Sequence, residues 1–345
     1  MYATTNNNTD DYIKVNLRYI KHIQNIFELD FFDAYIREVF LSDNQLICNN
    51  IIDNVFAGKA YKLLDVNTIK YFVNHGANIK ASSYLLIGKA SSCGCLEVVE
   101  LLINLGIDIH ADNYAIRTAS ENGHLEVVKL LIKNGANVNA GNNCAVRYAS
   151  QCGYIEIVRL LIENGADIQA LYNYAVRYAS KNNHLEVVKL LINHGADITD
   201  TNNNAVVFAS MYGHLEIVKL LVDHGADIQY AITNASQYGH LDIVRLLINY
   251  GANIHVGNNY CIKEASYNNH PEIMKLLINA GADITAGNNA PIRYASMFGH
   301  LDIVKLLIEL GVDVTTNDNE AVKSAYKNNY LDVVNLLIEH GATKI

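Results

Sequence analysis

The chain has 345 residues, 18% of them charged and half of them hydrophobic, with a net charge of −9. That balance, with no basic cluster, removes the counterion-release term behind most nucleic-acid affinity, so neither nucleic acid nor an anionic membrane is expected as a partner. No apolar run approaches the roughly 20 residues that cross a bilayer, and the opening Met1–Asn8 lacks a basic stretch followed by an apolar one, so no secretory signal is read. Six cysteines (Cys48, Cys93, Cys95, Cys144, Cys152, Cys261) read as free thiols of a reducing compartment, and an intracellular, cytoplasmic protein is expected.

In chain order, residues 1–11 are expected to be a disordered tail. Residues 12–50 hold four of the eight phenylalanines (Phe27, Phe31, Phe32, Phe40) and are expected to form helices that cap the rest of the chain, a separate docking module being the alternative. Residues 51–76 read as a degenerate first copy of a repeat, Val66–Val73 aligning with its second helix. From there glycines recur at 76, 106, 135, 165, 195, 225, 251, 281, 311 and 341, spaced by 30 residues except for one interval of 29 and one of 26. A period in this range means one small unit stacked about ten times, here over 51–345.

The unit is clear in Asp112–Val138. Ala115, Ile116 and Ala119 recur at helical spacing and predict a first helix with a small-residue face, with Asn113 as its N-cap. The helix ends at Gly94, Gly123, Gly153, Gly213, Gly239 and Gly299, or at Asn183, Asn269 and Asn329. Only Gly and Asn routinely accept a left-handed backbone, so a turn with positive φ is predicted there. A second helix runs from Leu125 to about Lys133, with Leu125, Val128, Leu131 and Ile132 as its buried stripe. Glu126/Lys129, Glu156/Arg159, Glu186/Lys189 and Asp242/Arg245 lie three apart and read as solvated pairs.

A helix, a Gly-His turn, a Leu-Glu-Val-Val-Lys-Leu-Leu helix and Gly-Ala-Asp: with these in place, residues from about 50 to 345 resemble the ankyrin repeat. Copies such as Asn173–Ser180 further resemble the Asn-rich ankyrin proteins of giant viruses of amoebae. The resemblance implies an all-α solenoid of helix-turn-helix units. Two departures qualify it. The family's Thr-Pro-Leu-His is Tyr114-Ala-Ile-Arg117 here, so Asn113 and its equivalents Asn143, Asn173, Asn203, Asn259, Asn289 and Asn319 are expected to cap instead of the Thr–His bonding. The family unit of 33 residues is about three longer than this one, and the loss falls where a β-hairpin finger would stand, so shortened or absent fingers are expected. The copy between Gly225 and Gly251 is shorter still, and a seam or a local change of curvature is expected there. The last copy is more polar and reads as the C-terminal cap.

Histidine recurs at His124, His184, His214, His240, His270 and His300. Packed helices stand about 8–10 Å apart and Zn–N bonds are about 2.1 Å, so imidazoles of adjacent copies cannot share an ion, and the column reads as structural. Cys93-Gly-Cys95 lacks partners at zinc spacing. No phosphate loop, nucleophile elbow or dinucleotide fingerprint is present, so no catalytic residue, metal or cofactor is expected.

Positions that differ between copies are free to encode specificity. The two residues before each helix-to-helix turn vary most, and the resemblance places them on the concave face of the stack. Met211, Tyr212, Tyr238, Tyr267, Met297 and Phe298 make this stretch aromatic and Met-rich, the composition of interface cores. Two readings stay open: a partner-binding patch, or side chains covering a thin core. Tyr148, Tyr178, Phe208 and Tyr294, earlier on the same helices, read as packing residues. The expected protein is a monomeric, non-catalytic scaffold binding a protein partner, a host protein if the chain is viral. The alternatives are a ubiquitin-ligase adaptor docking through residues 12–50 and a purely structural spacer.

Overall fold

In a computed structural model of the chain, the described residues are 35–41, 55–62, 64–74, 79, 83–110 and 113–343. Two strands come first. β1 (Tyr35–Leu41) pairs antiparallel with β2 (Val55–Lys62), Phe40 opposite Phe56. This corrects the expectation of helices across 12–50: Tyr-Ile-Arg-Glu-Val-Phe-Leu is rich in the β-branched and aromatic residues that fit a pleated surface. The tail 1–11, the rest of 12–50 and Cys48 lie outside the described residues. The helical class holds from Val66 onward, where α1 (Val66–Asn74) is the predicted second helix of the degenerate copy. Asp65 Oδ1 accepts the Thr68 N–H at 2.9 Å and caps it.

The chain divides into two compact units, residues up to Asp167 and residues from Ile168. In the first, α2 (Ser83–Ser92), α4 (Tyr114–Glu121) and α6 (Ala140–Cys152) are first helices, and α3 (Leu96–Asn104), α5 (Leu125–Lys133) and α7 (Ile155–Glu163) are second helices. In the second unit the first helices are α8 (Ala170–Lys181), α10 (Asp200–Met211), α12 (Gln229–Tyr238), α14 (Val256–Tyr267), α16 (Ala286–Met297) and α18 (Thr316–Lys327). Their partners are α9 (Leu185–Asn193), α11 (Leu215–Asp223), α13 (Leu241–Asn249), α15 (Pro271–Asn279), α17 (Leu301–Glu309) and α19 (Leu331–Glu339). Within each unit first helices pack on first helices and second on second, giving two layers.

The core lies between the layers. Ala115, Ala119, Ala145 and Ala149 are almost fully buried and let neighbouring first helices approach closely. In α5 the buried residues are Val127, Val128 and Leu131, with Leu125 and Ile132 half-buried. Val127 joins the stripe because a second helix is covered both by its own first helix and by neighbours in its layer. The i,i+3 pairs are surface features: Lys129 Nζ reaches Glu126 at 2.7 Å with both side chains about half exposed or more, worth about 0.2–0.5 kcal/mol.

Both ends of each copy are closed by left-handed residues. Gly213 at φ 79° ends a first helix, and a Cβ there would stand 2.7 Å from the His240 ring. Asn183, Asn269 and Asn329 take the same conformation at φ 64°, 59° and 63°, as predicted. At the end of the second helix Gly135 has φ 89° while the Ala136 N–H reaches back to the Leu131 carbonyl at 3.0 Å, a closure that satisfies an orphan carbonyl.

The asparagines before the first helices are not N-caps, contrary to expectation. Asn113 has φ 52° and its side chain makes no cap bond. Asn143, Asn259 and Asn319 are each the last of three consecutive left-handed residues: Gly141-Asn142-Asn143, Gly257-Asn258-Asn259 and Asn317-Asp318-Asn319. This reversed turn replaces the β finger, and no strand occurs among the described residues from 83 to 343. Asn side chains tolerate φ > 0, which outweighs their capping preference when three such residues must follow one another. Their Oδ1 atoms instead accept backbone N–H groups 24 residues on: Asn143 from Asp167 at 2.8 Å, Asn259 from Asp283 at 3.1 Å and Asn319 from Thr343 at 2.9 Å. The Asn173 and Asn289 turns share the geometry; the side chain of Asn203 lies outside the described residues.

A basic residue follows each of these triplets and engages it through a carbonyl or, at Lys323, through the Asp318 carboxylate. Arg147 Nε donates to the Asn142 carbonyl at 2.8 Å, Arg177 Nη1 to that of Tyr172 at 3.0 Å, and Lys323 Nζ pairs with Asp318 at 2.6 Å. This accounts for Arg147 and Arg177, whereas Arg117 of Tyr114-Ala-Ile-Arg117 lies over the Tyr114 ring, 4.9 Å from its centroid. The short copy has Thr233 there and no left-handed triplet. Gln229 Oε1 takes over the asparagine's task, accepting the Asn253 N–H at 3.3 Å. Since α12 packs on both α10 and α14, the shortened copy stays in its layers.

In the loops, the Thr285 hydroxyl and N–H beside Asp283, and those of Thr315 beside Asp313, hold both carboxyls below the usual carboxylate range. A carboxyl depressed in the folded state stabilises above the unfolded pKa and loses that contribution as pH falls through the folded one. Thr285→Val with Thr315→Val is therefore expected to flatten the acid limb of a stability-against-pH curve, measured by urea unfolding.

Replacing Asn259 by Gly keeps the left-handed turn and removes the Oδ1 that accepts from both the Asp283 N–H and His255 Nδ1, an expected loss of about 1–3 kcal/mol. Asn259→Ala adds the left-handed penalty, about 1–2 kcal/mol more; urea denaturation of the two variants measures the difference. In the Asn173 turn, Leu171 and Tyr172 hold φ 51° and 59° where sister copies have Gly and Asn. Leu171→Gly with Tyr172→Asn is expected to raise unfolding stability by about 1–2 kcal/mol in the same assay.

Candidate functional site

The face that carries the variable residues is built from the C-terminal ends of first helices in the second unit. Met211, Tyr267 and Met297 are the last residues of α10, α14 and α16, Tyr238 is the last of α12, and Tyr212 and Phe298 follow α10 and α16 as their C-caps. The helix ends are fixed through the backbone. Nε2 of His240 lies 2.9 Å from the Met211 carbonyl, that of His270 3.0 Å from Gln237 and that of His300 2.9 Å from Tyr267. His214 holds Lys181 in the same way at 2.8 Å. A carbonyl only accepts, so each Nε2 carries the proton and is engaged. The histidine column thus joins copies, as the sequence indicated.

The side chains then divide by burial. Tyr212, Tyr238, Tyr267 and Met297 are 47%, 49%, 43% and 43% exposed, whereas Met211 and Phe298 are half-buried. Phe298 packs edge-on against Tyr267 at 4.5 Å, and Tyr267 meets Tyr294 at 5.6 Å. Phe298 therefore covers core and supports Tyr267, while the outer faces of Tyr267 and Met297 remain open. The patch thus divides into side chains that cover core, Met211 and Phe298, and side chains that stand open, Tyr212, Tyr238, Tyr267 and Met297. Tyr178, Phe208 and Tyr294 are half-buried packing residues.

Two features were not anticipated. Lys181, at the end of α8, lies with its Nζ 5.6 Å from the Tyr178 ring centroid, 6.0 Å from Phe208 and 5.4 Å from Tyr212. Tyr230 and Tyr260 are also exposed, on the N-terminal part of α12 and α14. The second signal was readable, since both precede the helical alanine positions. The first was not, because the cradle is assembled from two copies.

Between Asn204 and Tyr238 the first helices α10 and α12 present no charged residue. The surface is thus uncharged, aromatic and hydroxyl-bearing, with a cation at one edge. It offers apolar contact and hydrogen bonding. Elsewhere, burial pushes the thiols of Cys144 and Cys261 up, opposite to the shift that activates a nucleophile. Among the described residues no group of three or more His, Cys, Asp or Glu side chains could hold a metal ion. No helix of the described residues is long and apolar enough to cross a membrane.

Comparison with known proteins agrees with this architecture. A protein named as an ankyrin repeat protein, L72 of Acanthamoeba polyphaga mimivirus, is 37% identical over 87 residues, covering 24% of this chain and 22% of that protein. The aligned part is thus under a quarter of the relative's length. The profile of a family described as ankyrin repeats, in three copies, matches residues 111–172, 169–232, 229–288 and 262–345, together well over half of the sequence. The chain belongs to the ankyrin-repeat family.

Proposed function

We propose that this protein is a non-catalytic scaffold that binds a partner protein through the first-helix face of its second unit, the concave face of the stack. Ankyrin repeats generally serve protein–protein interaction and are typically non-catalytic. What supports the specific face is one observation: four large side chains (Tyr212, Tyr238, Tyr267, Met297) stand nearly half exposed at the C-terminal ends of the first helices of successive copies. Exposed aromatics cost solubility, and Tyr offers large contact area, a hydrogen-bonding tip and little rotamer entropy, the properties of interface hot spots. The intervening stretch without charge suits a face that is dehydrated on binding.

The partner is a protein of the cell in which the chain resides, a host protein if the chain is viral, and the binding protein acts as a monomer in the cytoplasm. Tyr212→Ala with Tyr238→Ala removes two exposed rings without touching the buried core. Each hot-spot aromatic is worth about 2 kcal/mol, so recovery of bound protein from lysate is expected to fall at least about tenfold while the thermal unfolding curve is unchanged. Undiminished recovery with an intact fold would place binding elsewhere.

A further inference from the structure

Lys181 is the cationic edge of the proposed face, and its surroundings say what it is for. Three rings from two copies, Tyr178 on α8 with Phe208 and Tyr212 on and after α10, lie 5.4–6.0 Å from its ammonium. Tyr174 stacks behind Tyr178 at 4.0 Å and fixes that wall. Some other lysines are matched by carboxylates: Lys189 reaches Glu186 and Lys275 reaches Glu272, each at 2.7 Å. Lys181 forms no ion pair with any described residue. A ring quadrupole attracts a cation without neutralising it, so the full charge persists on a side chain whose freedom is already restricted.

We propose that Lys181 is the anchor for a carboxylate of the partner, an Asp or Glu side chain followed by uncharged apolar residues that lie along Tyr212, Tyr238 and Tyr267. The inference rests on the face proposed above and names the partner's chemistry there. Charge complementarity carries it. The ligand meets one unpaired cation at the edge and then α10 and α12, which present no charge from Asn204 to Tyr238. A second acidic residue further along would be desolvated without a partner, so the arrangement selects the position of the negative charge as well as its sign. The chain's own net charge of −9 disfavours acidic segments elsewhere on its surface. Pre-ordering by the rings lowers the entropic cost of the contact.

The test is selection of a random-peptide library, displayed on phage, against the full-length protein and its variants. The wild type is expected to enrich peptides with one Asp or Glu at a fixed distance before aromatic or aliphatic residues. Lys181→Glu is expected to lose those clones and to enrich Lys or Arg at that place. A peptide synthesised from the wild-type consensus should bind Lys181→Glu at least about tenfold more weakly by fluorescence anisotropy. Lys181→Met keeps an apolar stem over the rings, should abolish the acidic preference without reversing it, and covers the case in which the glutamate disturbs the fold. Enrichment of peptides with no acidic preference, or with basic ones from the wild type, overturns the assignment. Clones lost on Tyr238→Ala with Tyr267→Ala but indifferent to Lys181→Glu overturn the carboxylate anchor and leave the docking face standing. Clones indifferent to the tyrosine substitutions overturn the face itself, and a library in which the wild type enriches nothing overturns both.

Discussion

Everything in these stacks depends on how backbone groups are satisfied where one copy meets the next. A short helix leaves as many orphan carbonyls at its end as a long one, and copies of about 30 residues contain many ends per unit of buried core. Two repeated side-chain bonds meet that demand. An imidazole Nε2 donates to the carbonyl at the end of the preceding first helix, as His240 does to Met211. An asparagine at the start of a first helix accepts a loop N–H, as Asn259 does from Asp283. Both are local to a pair of neighbouring elements, so the architecture extends by addition, as expected of a quasi-one-dimensional array.

Replacing a β finger by three left-handed residues follows from the same constraint. A turn that short cannot pair its carbonyls with another strand. It directs them inward, where Arg147 collects two of them, Asn142 at 2.8 Å and Gly141 at 3.2 Å. Arg147 and the Gly141-Asn142-Asn143 run thus act together. In the short copy Thr233 stands at the place of the cation, and Gln229 with its longer side chain spans to Asn253. Leu171 and Tyr172 show that the turn is imposed by its surroundings, since Arg177 still engages the Tyr172 carbonyl although neither residue favours the conformation.

Most of the scaffold was legible because its signals repeat. The Gly/Asn alternation at Asn183, Asn269 and Asn329 identified a positive-φ turn, and the histidine column was read as structural from helix spacing and from its replacement by Cys95, Tyr154 and Tyr330 in other copies. The asparagines were misread because a residue that accepts hydrogen bonds at a helix start also tolerates a left-handed backbone; the adjacent Gly-Asn would have separated the two. β1 was missed because it belongs to no repeat, and its hairpin partner is remote enough that local pattern gave little weight to pairing. At the site, the identity of the exposed residues was legible from variation between copies. Their division was not: Phe298 and Tyr267 are neighbours in space through a contact between copies, and nothing in one copy's sequence says which ring is inner. The Lys181 cradle was invisible for the same reason.

The histidine bonds also explain how this face can vary at all. Each imidazole grips a main-chain carbonyl, at Lys181, Met211, Gln237 and Tyr267 in turn. The bond that holds the copies together is therefore indifferent to the side chain at the gripped position. Lys, Met, Gln and Tyr occupy equivalent places with the same carbonyl geometry, so a substitution there changes what the face presents while the joint between copies is kept. The joint resides in the backbone of these residues, which leaves their side chains free for the proposed recognition. A scaffold in which the turn position had been held by a side-chain contact would have fixed its binding surface along with its fold.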